Sequence, residues 1–556
     1  MGGMDVTTEP ESADTRRRDL LDPDRERVYP LDFVATVPEL LRLAVTRFGD
    51  LDLLVTSEER VTFAEIDRRS RLLARHLVAA GVGKGTRVAI LLPQGPPWIE
   101  GFLALARIGA LTMAVNTFLK PPELRRALRH GDVQLLIAPE RLSGRPTGEF
   151  LDEVSPGLSV AMEPGQEARL PDLPYLRSVF VHRPGDLPHR PVDDDLLDAM
   201  EAQISPADWL VTVYTSGTTS EPKAVIHTHG AEVRHSANLV ELRGLSPEYR
   251  MFGVMPFFWI GGLMYELLPA LHCGSMIVCQ ERFDPAAALD LIERERTNSF
   301  MGYANARERI MSVPDYSERD LSEVPFLPPL GTPPVDPRQF HNSLGMTESN
   351  GPHTMGDADT FGVPLPEEHW GSFGPPVPYV EHRIADPDTN ETLPDAVEGE
   401  ICLRGYSLLI GMYKREREEV FDAEGWYHTG DRGYFRDGLL FFTGRANEMI
   451  KTGGSNVSPR EVEVALELFP EIELALVFGI PDPVLGEVVV AGVVPARGAA
   501  FDEDAVREGL RKELSSYKVP TAIVELAPDD VPFGVTGKAE RRKVAVTVQE
   551  RLTARP

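Results

Sequence analysis

Tyr214-Thr215-Ser216-Gly217-Thr218-Thr219-Ser220-Glu221-Pro222-Lys223 is the stretch from which the rest of the chain can be read. From Tyr214 to Ser220 every residue is glycine or carries a hydroxyl, and a lysine closes the segment. An apolar, β-prone run, Trp209 to Val213, precedes it. Hydroxyls, bare backbone N–H groups and one cation are what a phosphate chain needs for solvation inside a protein. The pattern points to a nucleotide triphosphate held in a loop after a strand. It is not the common P-loop, because Lys223 follows a proline and no Gly-Lys-Ser/Thr is present. A polar surface loop is the plainer reading, and the surrounding sequence has to decide between them.

Working outward, strands and helices alternate. Thr62 with Glu65 forms a capping box ahead of Ile66, Leu72, Leu73 and Leu77 at helical spacing. Val88 to Leu92 is a strand candidate, Ile99 to Ile108 a helix, Ala110 to Val115 a strand. Pro121-Pro122 opens a further helix, and Leu135 to Ile137 is strand-like again. Such alternation predicts a mostly parallel sheet covered by helices, with ligand loops at the strands' C-terminal ends. Residues 156–200 are rich in Pro, Gly and acids and read as loops with short elements. Near Gly444 the pattern changes to a small α+β unit: helices at Glu461–Phe469 and Glu503–Leu514, strands at Leu474–Phe478 and Val488–Val494. The expected organisation is a flexible tail (1–30), a large α/β domain (31–443) and a small domain (444–556).

Composition excludes several classes. A chain of 556 residues is too long for one core. Its 57 basic and 86 acidic residues give a net charge of −29, which argues against a nucleic-acid surface but not against ATP or CoA, for which a few local cations suffice. Cys273, Cys279 and Cys402 form no C-x-x-C pair, so neither a disulfide framework nor a zinc site is indicated, and a reducing cytoplasm fits. No apolar run reaches the length of a transmembrane span, and no secretory apolar core stands at the N-terminus.

The phosphate-loop candidate resembles that of the AMP-forming adenylating enzymes, which include acyl-CoA synthetases, carrier-peptide adenylation domains and beetle luciferase. Further motifs follow in that family's order: Gly345-Met346-Thr347-Glu348, Gly425-Trp426-Tyr427-His428-Thr429-Gly430-Asp431, Gly444-Arg445 through Lys451-Thr452-Gly453-Gly454-Ser455-Asn456-Val457, and Thr536-Gly537-Lys538. The resemblance runs from about Leu31 to about Arg542. It implies a large N-terminal AMP- and acyl-binding domain and a small mobile C-terminal domain carrying a catalytic lysine.

The resemblance also implies roles. Thr215, Ser216, Gly217, Thr218, Thr219 and Lys223 would hold the β and γ phosphates. Gly331 and Thr332 would belong to the adenine loop, with Leu344, Gly345 and Met346 beside the base. Thr347 would contact the α-phosphate and Glu348 would hold Mg²⁺ between phosphate oxygens. Asp431 would accept from both ribose hydroxyls, as a two-oxygen carboxylate suits a vicinal diol. Arg445 would reach ribose or phosphate, and Lys538 the attacking carboxylate. Phe258, Trp259 and Gly261 would border the acyl pocket. Asn447 stands at the hinge. Lys451, Gly453, Gly454 and Asn456 would line the path of the CoA thiol after the small domain turns. Local readings stand beside these: Thr347-Glu348 also reads as a helix N-terminus, and Gly430-Asp431 as a turn.

The chain departs from the family pattern in places. Ser220 and Ala224 replace glycines, which would strain the backbone wherever φ > 0 is required. Leu344 stands where an aromatic ring commonly stacks on adenine, and Trp259 where a histidine is common. Gly331 to Gly345 is short. The sequence thus supports an ATP-dependent acyl-CoA synthetase for an apolar fatty or aryl acid. Two rivals stand: a ligase that loads a phosphopantetheinyl carrier protein, and a weakened homologue that binds nucleotide or acyl ligand without turnover.

Overall fold

The structure is a computed structural model that describes residues 28–163, 165–183, 191–215, 222–302, 304–327, 340–360, 362–445, 449–496, 501–532 and 541–553. The candidate positions Ser216, Gly217, Thr218, Thr219, Gly331, Thr332, Asn447 and Lys538 lie outside the described residues, as does Ser220. For Thr215 and Arg445 only the backbone is described.

The architecture is mixed α/β, a large N-terminal domain followed by a small one, as expected from the alternating pattern. In a seven-stranded sheet, Ser178–His182, Leu135–Pro139, Arg87–Ile90, Leu111–Ala114 and Trp209–Thr215 run parallel in that spatial order. Lys223–Thr228 and Gly411–Met412 extend it antiparallel. A five-stranded sheet carries Ser299–Met301, Arg250–Gly253, Met276–Cys279 and Asp52–Val55 in parallel, with Arg60–Thr62 antiparallel at its edge. The Pro/Gly-rich stretch holds short elements between loops, the edge strand Ser178–His182 and the helix Asp194–Glu201 among them.

One core joins these two sheets. The helix Pro96–Ile108 lies in it, with every residue but Pro97 buried. Pro96 suits its first turn, where an N–H has no helical partner, and Gly109 ends it at φ 77°. A helix buried all round shows no polar face, which is why its sequence reads only as an apolar run. On the next helix outward, Phe63–Ala79, the Thr62 hydroxyl accepts from Glu65 N–H at 3.2 Å.

An antiparallel sheet, Val380–Ala385, Gly399–Gly405, Tyr427–Arg436 and Leu439–Arg445, leads to the small domain. There Ile472–Asp482 pairs with Gly486–Pro495, flanked by Ala522–Glu525 and the hairpin Ile450–Thr452/Ser455–Val457. Strand alternation separates its two faces. Ala475, Val477, Ala491 and Val493 pack with the helices Pro459–Glu467 and Glu503–Glu513. Leu476, Phe478, Val490 and Val494 pack with Val544 and Val548 of the C-terminal helix Arg541–Thr553.

Candidate active site

The two ends of the stretch Tyr214 to Lys223 lie on neighbouring strands. Trp209–Thr215 and Lys223–Thr228 pair antiparallel with Thr215 opposite Lys223. The helix that follows begins only at His229. The lysine therefore stands on the return strand, at the mouth of the loop, and no helix N-terminus closes the segment. Ala224 is an ordinary extended strand residue, buried, without positive φ. The strain anticipated there does not arise, because the strand begins before the position where the family has glycine.

A cavity of about 590 Å³ lies beside this hairpin. It opens at the C-terminal ends of two adjacent parallel strands, bounded by Ala114 and Asn116 after one and by Val213 and Tyr214 in the other. Lys223, Gly345, Met346, Thr347 and Glu348 line it, as do Phe258, Trp259 and Gly261, and from the small domain Lys451, Gly454 and Asn456. Gly453 instead borders an adjoining cleft that shares Trp259 and Ser455.

Thr347 and Glu348 project from a tight turn, not from a helix N-terminus. Leu344–Met346 and Gly351–Thr354 form an antiparallel hairpin around Thr347-Glu348-Ser349-Asn350. Ser349 accepts from Met346 N–H (3.3 Å) and donates to Gly351 C=O (2.6 Å), and Asn350 takes φ 63° to close the loop. Such local side-chain bonding is what defeats the helix reading. The turn is also held from behind: buried His227 donates through Nε2 to Thr347 C=O at 2.8 Å. Burial pushes His227 down to about 4, so it stays neutral and keeps this donor. Glu348 is 7% exposed, and among the described residues no cation or donor meets its carboxylate. A carboxylate so placed on a cavity wall fits a hard cation such as Mg²⁺. Leu344 is not brought to the wall. It packs in the core with Val225, Val377 and Leu403, since its neighbours in the strand take the cavity side.

Asp431 lies inside the continuous strand Tyr427–Arg436, with Arg445 opposite it in register. The turn signal at Gly430 is a β-bulge. Glu400 pairs with Arg432 and Cys402 with His428, so the strand gains residues between them, and Gly430 takes φ 72°. The bulge is pinned by Gly430 N–H to Glu400 Oε1 (3.0 Å) and Asp431 N–H to Thr429 Oγ1 (3.0 Å). Tyr427, Thr429 and Gly430 reach the cavity wall, while Asp431 itself is 3% exposed and stands just behind it.

The acyl-pocket candidates sit on the loop that ends at Trp259 and on the first helical residues leading into the π-helix Gly262–Leu267. Phe118, Phe258 and Trp259 form an edge-to-face cluster with ring centroids 5.6–6.4 Å apart. At Gly261 any Cβ would collide with the Met255 side chain. Gln94, which sequence reasoning missed, ties this loop down: it accepts from Phe257 N–H at 2.9 Å and donates to Met255 C=O at 3.1 Å. Gln94 and His227 could not have been found in the sequence, because each acts on backbone more than 100 residues away. The glycine pair of the small domain has a more specific reason than close approach: Gly453 (φ 54°) and Gly454 (φ 83°) form a two-residue hairpin turn in which both positions need φ > 0.

A family model described as "AMP-binding enzyme" matches residues 41–413, and one described as "AMP-binding enzyme C-terminal domain" matches 461–538. A feruloyl-CoA synthase from Amycolatopsis sp. is 32% identical over 492 residues, 87% of this chain and 93% of that protein. A mitochondrial medium-chain acyl-CoA ligase from Bos taurus is 27% identical over 551 residues, 93% and 88% of the two chains. Among solved structures, a double mutant of o-succinylbenzoate CoA synthetase from Bacillus subtilis, bound with a product analogue, superposes with a TM-score of 0.72 at 21% identity, covering 91% of this chain and 98% of that one.

Proposed function

The chain belongs to the AMP-binding enzyme family and is an AMP-forming acid–CoA ligase, and from that premise we propose that its acid is apolar, aliphatic or aryl, and that Mg²⁺ assists the ATP-consuming step. One observation carries the reading. A single cavity collects Lys223 at the mouth of the hydroxyl-rich loop, the Thr347-Glu348 turn, the aromatic Phe258-Trp259 wall and the Gly454–Asn456 hairpin.

In the first half-reaction a carboxylate oxygen attacks the α-phosphorus of ATP and pyrophosphate leaves. Both partners are anionic, so the site must supply positive charge and donors where charge builds up. Lys223 and the loop Thr215–Thr219 take the β and γ phosphates. Thr347 meets the α-phosphate, and Asp431 with Arg445 takes the ribose. Mg²⁺ held by Glu348 would neutralise phosphate oxygens. Lys538 serves the attacking carboxylate. In the second half-reaction the CoA sulfur attacks the acyl carbonyl and AMP leaves. Lys451, Gly454 and Asn456, already on the cavity wall, serve that step, and the small domain turns about Asn447 between the two.

Acid-dependent ATP–pyrophosphate exchange across a panel of acids tests the reading. Exchange with apolar acids is expected, and absence of exchange with every acid would favour the nucleotide-binding homologue without turnover. Thioester formed on a phosphopantetheinyl carrier protein but not on CoA would identify the other acceptor. Glu348→Gln is expected to lower exchange about 10²-fold and to raise the Mg²⁺ concentration needed for half-maximal rate. An unchanged Mg²⁺ dependence would remove Glu348 from the metal. Trp259→Gly removes the largest ring of the aromatic wall and is expected to shift preference toward bulkier acids, read as kcat/KM ratios. An unaltered acid profile would take Trp259 out of the pocket.

A further inference from the structure

The two domains meet at a buried ionic cluster. Lys518 of the small domain, 5% exposed, places Nζ 2.9 Å from Glu123 Oε1 of the large domain and 2.9 Å from Glu461 Oε1 of its own. Ser515, from the same turn as Lys518, donates to Glu123 Oε2 at 2.7 Å. Among the described residues, Lys518–Glu123 is the only ion pair between the domains. The pair itself and Glu461 line the cavity, together with Asn116 and Leu119 before Glu123 and Leu514 and Tyr517 before Lys518.

Each half of the pair has a second anchor that does not cross the interface. Glu123 is the third residue of the helix Pro121–His130, and its Oε2 accepts from Lys120 N–H at 2.9 Å. Lys518 is held by Glu461. If the domains part, both side chains remain in place and their charges pass into water, a far smaller cost than exposing an apolar patch of equal size. If they meet, the pair re-forms without ordering either partner again. Removing Lys518 leaves Glu123 and Glu461 buried without their cation in the closed orientation only, whereas removing the Glu123 charge leaves Lys518 paired with Glu461 and takes away the attraction across the interface.

We propose that Lys518 and Glu123 form a releasable ionic latch: positioning residues that hold the small domain where Gly454 and Asn456 face the cavity, and so serve the thioester-forming half of the reaction. The proposal rests on the acid–CoA ligase reading above. It goes beyond that reading by assigning one half-reaction to an interdomain ion pair on the cavity wall.

The test uses the full chain as wild type, Lys518→Met, Glu123→Gln and the double variant. Glu123→Gln is isosteric and retains an acceptor for Lys120 N–H, so folding is preserved even where Lys518→Met perturbs it. Two rates are measured: acid-dependent ATP–pyrophosphate exchange, and acyl-CoA formation from supplied acyl-AMP and CoA. Exchange is expected to stay within about twofold of wild type, while thioester formation falls at least about tenfold in Lys518→Met and by a smaller factor in Glu123→Gln, where Lys518 keeps Glu461. The double variant is expected to be no worse than the worse single one, since the pair acts as a unit. Equal loss in both halves, or undiminished thioester formation in Glu123→Gln, overturns the latch while the wild-type activity leaves the ligase reading standing. A wild-type chain inactive in both assays with every acid would overturn the ligase reading and the latch together.

Discussion

Lys538→Ala is expected to reduce acid-dependent ATP–pyrophosphate exchange by about 10²–10³-fold, the loss typical when one group stabilising transition-state charge is removed from a desolvated site. Thioester formation from supplied acyl-AMP is expected to stay near wild type. The asymmetry follows from how the small domain is built. Its two faces carry different segments: the helices Pro459–Glu467 and Glu503–Glu513 on one, the C-terminal helix Arg541–Thr553 on the other. The first face and the Gly453-Gly454 hairpin supply Asn456, Glu461 and Leu514 to the cavity, and no described residue of the C-terminal helix lines it. Arg541 is instead anchored at the edge strand Ile472–Asp482, donating to Val477 C=O and to Glu463 at 2.7 Å each. In this orientation the described part of the small domain that meets the cavity is the first face and the glycine hairpin. Under the proposed alternation, a lysine needed only for adenylation would act from a different orientation, and its loss would spare the second step. Equal loss in both assays would contradict domain alternation.

Gly345→Ala is expected to lower both half-reactions about 10²-fold and to destabilise the fold by about 1–3 kcal/mol, read as a drop in Tm alongside the two rates. A Cβ at this position would stand 2.6 Å from Gly351 O, 2.7 Å from Gly351 C and 2.8 Å from Pro352 Cα. All three are backbone atoms, so no side-chain rotation relieves the contact. The strands Leu344–Met346 and Gly351–Thr354 would have to separate, and the turn between them carries Thr347 and Glu348. His227 and Ser349, which hold that turn, would lose their geometry with it. A variant with wild-type Tm and exchange would show that the hairpin does not set the position of Thr347 and Glu348.

Much of the chemistry was legible because it rests on residue types that few other tasks require. Lys223, which closes the hydroxyl-rich stretch, and the carboxylate of Gly-Met-Thr-Glu line one cavity although more than 100 residues separate them. Local shape was less legible. Thr347-Glu348 reads as a helix start until Ser349 is seen to bond across the turn. Gly430-Asp431 reads as a turn until the pairing of Glu400 and Cys402 reveals a bulge. Leu344 reads as an adenine neighbour until its burial beside Val377 and Leu403 is known. At Gly430-Asp431 and at Leu344 the deciding partners are distant in sequence, and at Thr347-Glu348 the deciding bonds are those of Ser349 within the turn.

By itself, then, the amino-acid order determined the class of fold, the alternation of strands and helices, and the residue types a nucleotide and an acid would meet, since periodicity and side-chain chemistry are local properties. The tertiary structure alone decided that Lys223 stands on a return strand, that Gln94 and His227 brace the loops, and that Glu123 meets Lys518 across the interface. Those outcomes depend on which backbone groups and charges are buried together, and burial is a property of the packed chain.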